Sequence, residues 1–480
     1  MKLQVYQGAL QKEKILKLRI RINTRFGDNH KITDMIRFTG ILLILFTVAV
    51  ASPAQEVWTL EDCIEYAMEN NIQLKRQELL SESARNNYNQ SRVGILPSLV
   101  GFANHDFNSG RALNYDTYQW ENREFQQGNL GLEARVNIFS GFQNQNTIQQ
   151  NRFMLMSRLE ELEHARNNIS LNITVAYLQI LLDMELLEIA ENQFRVSGLE
   201  VESAKVNFTV GNISRGRLLE IESQNAANEY QVTLARSNLS QSYLNLMQIL
   251  QLDPDDDFRI VRPETFGISE ALILNQVSAI YDQAETIMPQ VRGAEYSMKS
   301  REKELAVIRG QQSPRLALRG LFYTRYSELA SDPMNGGDYP YSTQIKDNQY
   351  GQLGLSLTIP IFDGWNTRNR ISNARISVMD ARYRLEETRQ DLFTEIHRMH
   401  NNATTAFDRY KSAEKAVVHA REASGHAQEQ FGLGLINFVD YQHAQSSFFM
   451  AQSNSAQAKY EYFLRSMILD FYLGEPLEMD

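Results

Sequence analysis

The chain is poor in cysteine, in proline and in long apolar runs. Its single cysteine, Cys63, has no partner for an intramolecular disulfide, which excludes a disulfide framework. Within a helical stretch, this residue is predicted to be a small buried side chain. No proline lies between Pro97 and Pro254, so long helices can run there without interruption. Beyond residue 54 no stretch reaches the roughly 18 apolar residues of a membrane-spanning helix, so any insertion into a membrane has to use β-strands.

Basic patches and catalytic motifs are also missing. The formal charge is −10; residues 1–37 hold nine Lys/Arg and three Asp/Glu, so the remainder carries −16. Nucleic acid demands basic patches and is excluded as a partner. His397 and His400 lie near Glu395, but a metal site needs more ligands to converge. No nucleotide loop or Ser/His/Asp arrangement stands out, so we predict no enzyme and no cofactor.

An export signal precedes the main body of the chain. Gly40–Ala51 is an apolar run of twelve residues, too short to span a bilayer and followed by small residues. Cleavage triplets end at Ala51 and Ala54. We predict that residues 1–54 are an N-terminal extension and signal peptide, with translation starting at Met1 or Met35.

The main body contains an internal duplication. Leu130–Phe142 reappear as Leu353–Trp365, 223 residues later. The match continues without a gap to Ile213 and Ile436, and a match of about 85 residues means that one structural unit is repeated. The predicted organisation is a first strand and long-helix repeat at 55–252, a linker at 253–272 and a second repeat at 273–480.

Two segments, 129–139 and 353–361, alternate between apolar and polar residues, which predicts strands with one apolar face. Segments 98–107 and 315–325 are their weaker partners. The rest of the chain is helical and supplies no core for the apolar faces, so we predict that they face lipid. The predicted lipid-facing residues are Leu130, Leu132, Ala134, Val136, Ile138, Leu353, Leu355, Leu357, Ile359 and Ile361. Aromatic residues at the helix-side strand ends suit a membrane interface: Phe139, Phe142, Phe362 and Trp365.

Four strands cannot close a barrel. An open edge in lipid leaves backbone groups unpaired at several kcal/mol each, and closure needs about eight strands. The chain therefore has to oligomerise. Three copies supply twelve strands, and two or four copies remain open on this argument.

The helices are unusually long. Positions 155 to 208 step by four and three and are apolar at thirteen of sixteen places, which indicates a heptad seam. A helix over 143–207 would be roughly 95 Å long, and 366–430 is its counterpart. The other predicted helices are 59–92, which begins at Thr59, and the return helices 215–251 and 437–472.

The order of these features resembles the TolC family of outer-membrane efflux proteins. The stretch Trp58–Asn71, the duplicated strand and long-helix units and the Phe-x-x-Gly turns carry the resemblance, which covers about residues 57–475. It implies a mixed α/β membrane protein: four transmembrane strands per chain in a trimeric 12-stranded barrel, continued by a coiled-coil α-helical periplasmic tunnel. It also implies a periplasmic adaptor (membrane fusion protein) and an inner-membrane pump as partners.

The resemblance places a periplasmic aperture just after the helical turns. Asp440 lies six residues past Gly434, and three such carboxylates in a trimer would attract cations. The matching first-half residue, Arg217, departs from an acidic pattern; Glu220 and His443 occupy the next inward turn. We hypothesise that Arg217 pairs with Asp440 or Glu220 and holds the entrance shut. The expected adaptor contacts are Gly211, Asn212, Ile213, Ser214, Gly434, Leu435, Ile436 and Asn437.

These features predict a passive exit duct in the outer membrane of a Gram-negative bacterium, with a periplasmic extension. It would export small toxic compounds in a tripartite efflux system, or act in type I secretion. The alternative is a non-conducting coiled-coil scaffold or adhesin at the surface or in the periplasm. A scaffold has no use for Glu133 and Arg135 opposite an apolar stripe, which favours the duct.

Overall fold

A computed structural model describes residues 57–113, 118–255, 257–263, 276–334, 336–477 and 479. The predicted signal peptide and part of the predicted linker, 264–272, lie outside the described residues. The helices and the main sheet all belong to one compact unit, Trp58–Asp480.

The two halves of this unit contain the same order of elements, except that the second half has a short additional helix between its two main strands. The first half contains β1 (Val57–Trp58), α1 (Leu60–Asn70), α2 (Ile72–Val93), β2 (Ser98–Leu113), β3 (Trp120–Phe139), α3 (Gln143–Thr209) and α4 (Arg215–Leu250). The second contains β4 (Arg259–Ile260), α5 (Val277–Ile287), α6 (Pro289–Gly310), β5 (Arg315–Ser327), α7 (Tyr341–Asp347), β6 (Tyr350–Thr358), α8 (Asn366–Gly432) and α9 (Phe438–Tyr472).

The long helices match their predictions to within two residues. α3 and α8 each contain 67 residues, which is about 100 Å at about 1.5 Å per residue. Each returns through a helix of 36 or 35 residues. None of the described helices is both long and apolar enough to cross a bilayer.

The prediction of one continuous helix over 59–92 is wrong, because the chain breaks at Asn71. The start is as expected: the Thr59 hydroxyl accepts from the Asp62 N–H at 3.1 Å, and the Asp62 carboxylate accepts from the Thr59 N–H at 2.9 Å. At the break, the Asn71 side chain accepts from the Gln73 N–H at 2.8 Å and donates to the Ile249 carbonyl at 3.0 Å. The bond to Ile249 holds Asn71 against the end of α4, and the bond from Gln73 caps the start of α2. Together they favour a break at Asn71 over one continuous helix.

The heptad seam is confirmed in part. Eight of its sixteen positions are buried: Leu162, Ile169, Ile173, Ile180, Asp183, Ser197, Val201 and Ala204. The two polar members have partners, since Asp183 accepts from the Ser242 hydroxyl and Ser197 donates to the Asn225 amide oxygen at 2.9 Å. Buried polar groups need such partners, so the buried part of the seam is apolar except where α4 supplies a hydrogen bond.

Cys63 is fully buried in the largest core cluster, as predicted. Burial, followed by the nearby Asp62 and Glu61 carboxylates, raises the pKa of its thiol to about 12. The thiol is therefore neutral and inert at physiological pH.

The main sheet is antiparallel, with strand order β2-β3-β5-β6, so the four predicted strands are present. β6 ends at Thr358, so the placement of Ile359 and Ile361 in this strand is wrong. Pro360 lies two residues beyond the strand end, and proline has no N–H to donate to a ladder. The two isoleucines instead lie in the connection to α8, where they are exposed.

The ladder separates the residues into two faces. Leu132 pairs with Phe322 and Leu318 with Leu355, which places the predicted apolar residues of β3 and β6 on one face. The leucines of β6 on this face are 61–78% exposed. Glu133 and Arg135 lie on the opposite face with Arg319, as the alternation predicts. Exposed apolar faces of this size mark contacts with membranes or with other proteins.

Two leucines of α4 provide a matched test of this packing. We expect Leu246→Ala to lower the free energy of unfolding by about 2–5 kcal/mol, since it leaves a cavity; the Leu246 side chain is 0% exposed. Leu244, 41% exposed, is the control, and its alanine variant should cost no more than about 1 kcal/mol. Guanidinium denaturation in detergent, followed by helical circular dichroism, measures both. Equal costs would contradict the packing described.

Candidate functional site

The candidate site consists of the two turns that end the long helices, residues 210–214 and 433–437. Both turns are closed by a left-handed glycine: Gly211 has φ 81° and Gly434 φ 73°. The Gly211 N–H donates to the Phe208 carbonyl at 3.0 Å, and the next residue donates five positions back at 2.8 Å; the second turn repeats both bonds at 3.0 and 2.9 Å. This geometry satisfies the last helical carbonyls and suits glycine, which has no Cβ to clash.

A side chain caps the helix that follows each turn. The Ser214 hydroxyl accepts from the Arg217 N–H at 3.2 Å. Asn437 accepts from the Asp440 N–H at 3.0 Å, and its amide donates to the Asp440 carboxylate at 2.8 Å. Asp440 is thus fixed in the first turn of α9, where the helix dipole favours a negative charge.

The two turns pack into one apolar unit, which we call the tip cluster. Its buried members come from three helices: Val201 and Ala204 on α3, Ile221 on α4, and Phe438 and Tyr441 on α9. Ile213 and Ile436 from the turns pack against it. The turns therefore cannot move independently without exposing this cluster.

Arg217 joins the two helical hairpins. Its guanidinium carbon lies 4.2 Å from the centroid of the Phe438 ring, a cation–π contact between α4 and α9. It also forms an ion pair with Glu220 at 3.2 Å. Of the two partners hypothesised, Arg217 therefore has Glu220, whereas Asp440 of the same chain is held by Asn437. The positive charge of Arg217 predicts a carboxylate partner. It does not indicate the contact with the Phe438 ring.

A second link across the hairpins joins Tyr441 to Glu200. The Tyr441 hydroxyl donates to the Glu200 carboxylate at 2.5 Å and accepts from the Gln445 amide at 2.8 Å. Burial raises the pKa of Glu200, although the bond from Tyr441 opposes the rise. The sequence reasoning missed this pair because its members are 241 positions apart; the one local sign was the aromatic Tyr441 beside Asp440.

The predicted aperture and contact residues lie together at this end of the molecule. Asp440, Glu220 and His443 are exposed, whereas Arg217 is half-buried. The turn residues Gly211, Asn212, Ser214, Gly434, Leu435 and Asn437 are exposed, and Ile213 and Ile436 are half-buried. Their roles at an aperture or against an adaptor stay predictions.

Exposed apolar side chains surround the turns. Val210, Leu433, Leu435 and Val439 are 64–75% exposed. Among the described residues, no group of three His, Cys, Asp or Glu side chains is arranged to hold a metal ion. His397 packs edge-on against Phe393, with ring centroids 4.6 Å apart. The exposed apolar side chains around the turns suit contacts with other molecules.

Two long helical hairpins follow a sheet that has one uncharged face where β3 pairs with β5. The family model described as outer membrane efflux protein matches residues 63–251 and 280–475, and the chain belongs to this family. The predicted resemblance is thereby confirmed. The family consists of channels rather than enzymes, and we place the chain in the outer membrane of a Gram-negative bacterium.

Individual relatives are similar over nearly their whole length. TolC of Vibrio cholerae is 21% identical and the match covers 92% of this chain and 96% of TolC. The alkaline protease secretion protein AprF of Pseudomonas aeruginosa is 22% identical, over 87% of this chain and 85% of AprF. Among solved structures, the outer membrane protein VceC of Vibrio cholerae has a TM-score of 0.74 at 17% identity, covering 87% of this chain and 97% of VceC. The open state of MtrE from Neisseria gonorrhoeae has a TM-score of 0.72 at 17% identity, covering 88% and 90%.

Glu200 makes the stability of the tip cluster depend on pH. Its pKa is raised in the folded state, so the folded state binds the proton more tightly and stability increases as pH falls toward the unfolded-state pKa near 4.5. We expect Glu200→Gln to raise the midpoint of thermal unfolding at pH 7.5. The difference between the midpoints at pH 7.5 and pH 5 should therefore be smaller than in the wild type. Glu202→Gln, at an exposed site of the same helix, should leave that difference unchanged. Identical pH profiles for wild type and Glu200→Gln would contradict this assignment.

Proposed function

We propose that the chain is one of three subunits of a passive exit duct through the outer membrane. The strand order leaves β2 and β6 as edges, each with one paired neighbour in the described sheet. In lipid such edges are costly. Pairing β6 of one copy with β2 of the next satisfies them, and three copies give a barrel of twelve strands, above the minimum of about eight.

The separation of charge between the two faces of the sheet carries this proposal. One face bears leucines and no full charge in the rows where β3 pairs with β5, whereas Glu133, Arg135 and Arg319 lie on the other. A closed wall in lipid would turn the uncharged face outward and the charged face toward a water-filled lumen. Phe142, Phe362 and Trp365 are 59–77% exposed at the helix-side end, which suits an interfacial position. A non-conducting scaffold gives no reason for this separation.

The helical hairpins form the periplasmic tunnel of the proposed duct. At about 100 Å, α3 and α8 reach far from the sheet, and the tip cluster lies at the entrance. The exposed apolar residues around the turns offer a surface that a periplasmic adaptor could cover, through Gly211 to Ser214 and Gly434 to Asn437. An inner-membrane pump would supply the energy.

The aperture residues would lie just inside this entrance. Three copies of Asp440 would crowd together and attract cations. Arg217, fixed over Phe438 and beside Glu220, would hold the two hairpins of each copy together while the entrance is closed.

The cargo of the proposed duct is small toxic compounds. AprF, a relative over most of the chain, is named for the secretion of alkaline protease, which supports a protein cargo as a close variant. We also propose the domain organisation predicted from the sequence, with a first repeat at 55–252, a linker at 253–272 and a second repeat at 273–480.

Neighbouring residues of β6 test the lipid-facing assignment. We expect Leu355→Arg to remove most of the heat-modifiable oligomer from outer-membrane extracts, because an arginine on the lipid face costs about 2–4 kcal/mol per chain. Ser356→Arg, one position along and on the opposite face, should insert normally. Gel electrophoresis of boiled and unboiled extracts measures both. Normal insertion of both variants would contradict the assignment.

Asp440 tests the aperture. We expect hexamminecobalt(III), added on the helix side of a planar bilayer, to block wild-type channels. Asp440→Asn should weaken this block roughly tenfold or more, since three carboxylates are lost from one ring. Asp408→Asn is the control, since Asp408 is an exposed residue of α8 that lies well before the turn at Gly434. An unchanged block in Asp440→Asn channels would count against the ring and leave the duct itself in place.

A further inference from the structure

The polar face of the sheet carries an excess of positive charge, although the chain as a whole is acidic. β3 and β5 are the central strands, so the composition of their polar face does not depend on how the edges pair. The charged residues on this face, along the paired stretches of β2, β3 and β5, are Arg123, Arg135, Arg315, Arg319, Arg325, Asp106, Glu121 and Glu133. Five arginines thus face three carboxylates.

Two of these arginines lie directly opposite each other. Arg135 and Arg319 are Cα partners across β3 and β5, and like charges in this position repel. Glu133 relieves the repulsion mainly at Arg319: its carboxylate accepts from Nε and Nη2 of Arg319 at 2.8 and 2.9 Å, whereas it attracts Arg135 without a hydrogen bond. Glu133 is thereby committed to Arg319 in a bidentate pair.

Arg319 is the one of these five arginines that forms an ion pair with a described carboxylate. Among the described residues, no carboxylate lies within ion-pair distance of Arg135 or of Arg315, which is opposite Thr358 in β6. The row that contains Arg135 ends in Ser98 on one side and Gly354 on the other. Small neighbours leave room for a solute at the guanidinium groups, and planar guanidinium donors match carboxylate and phosphate oxygens.

We propose that Arg135, Arg315 and Arg319 form an arginine belt that makes the strand end of the duct prefer anionic solutes with carboxylate or phosphate groups. The inference rests on the proposed function, in which the polar face lines the lumen. Three copies repeat the belt around one wall, where charges of one sign concentrate counter-ions. The belt is opposite in sign to Asp440 at the helical end.

Block of single channels by tripolyphosphate, added on the strand-loop side of a planar bilayer, tests the belt. Arg135→Gln and Arg315→Gln should each weaken the block roughly tenfold, as expected when a charge-assisted contact is lost. Glu133→Gln should strengthen it, because Arg319 is released; a structural role alone would not produce this opposite sign. Raising KCl from about 0.1 M to about 1 M should weaken the wild-type block, as the Debye length falls from about 10 Å to about 3 Å.

Arg384→Gln is the matched control, since Arg384 lies on α8, outside the sheet, and is paired with Asp380 at 2.9 Å. Tripolyphosphate should block Arg384→Gln channels as strongly as wild-type channels. Wild-type channels that tripolyphosphate does not block, or a block unaffected by Arg135→Gln and Arg315→Gln, would overturn the belt and leave the duct standing. A wild-type protein that forms no channels would overturn the duct and the belt together.

Discussion

The need of every backbone N–H and C=O group for a partner in lipid is the constraint on which the rest of the structure depends. The sheet meets it between β2 and β6 but not at their outer edges, where each unpaired group costs several kcal/mol in hydrocarbon. This requirement explains why the proposed duct needs more than one chain. In the proposed duct it also explains the alternation of the strands, because a closed wall would have lipid on one side and water on the other.

The tip cluster solves a different problem, which is how two long hairpins stay in register at the end farthest from the sheet. Glycine turns alone would end the helices without joining them. Arg217 over Phe438 and Tyr441 on Glu200 supply the joining contacts. Both contacts bring a charged group to an aromatic residue of the buried tip cluster, so they join the hairpins where the cluster already packs them together.

Periodicity predicted the elements well, because period two and the heptad are local properties of the chain. The long helices, the four strands and Thr59 as a cap all follow from neighbours in the sequence. The break at Asn71 did not, since it depends on the Ile249 carbonyl almost 180 residues away. Pro360 marks the strand end in the sequence, although the apolar alternation continues past it to Ile361. At the candidate site the glycines were predictable, whereas the aromatic partner of Arg217 depends on packing between hairpins.

The equal length of α3 and α8 has a consequence for how such a molecule can vary. Both descend 67 residues from the sheet, so their turns meet at one level. Seven extra residues in one hairpin arm would lower its end by about 10 Å and separate Arg217 from Phe438. A change in length therefore has to occur in all four arms at once, so the duplicated halves have to lengthen or shorten together.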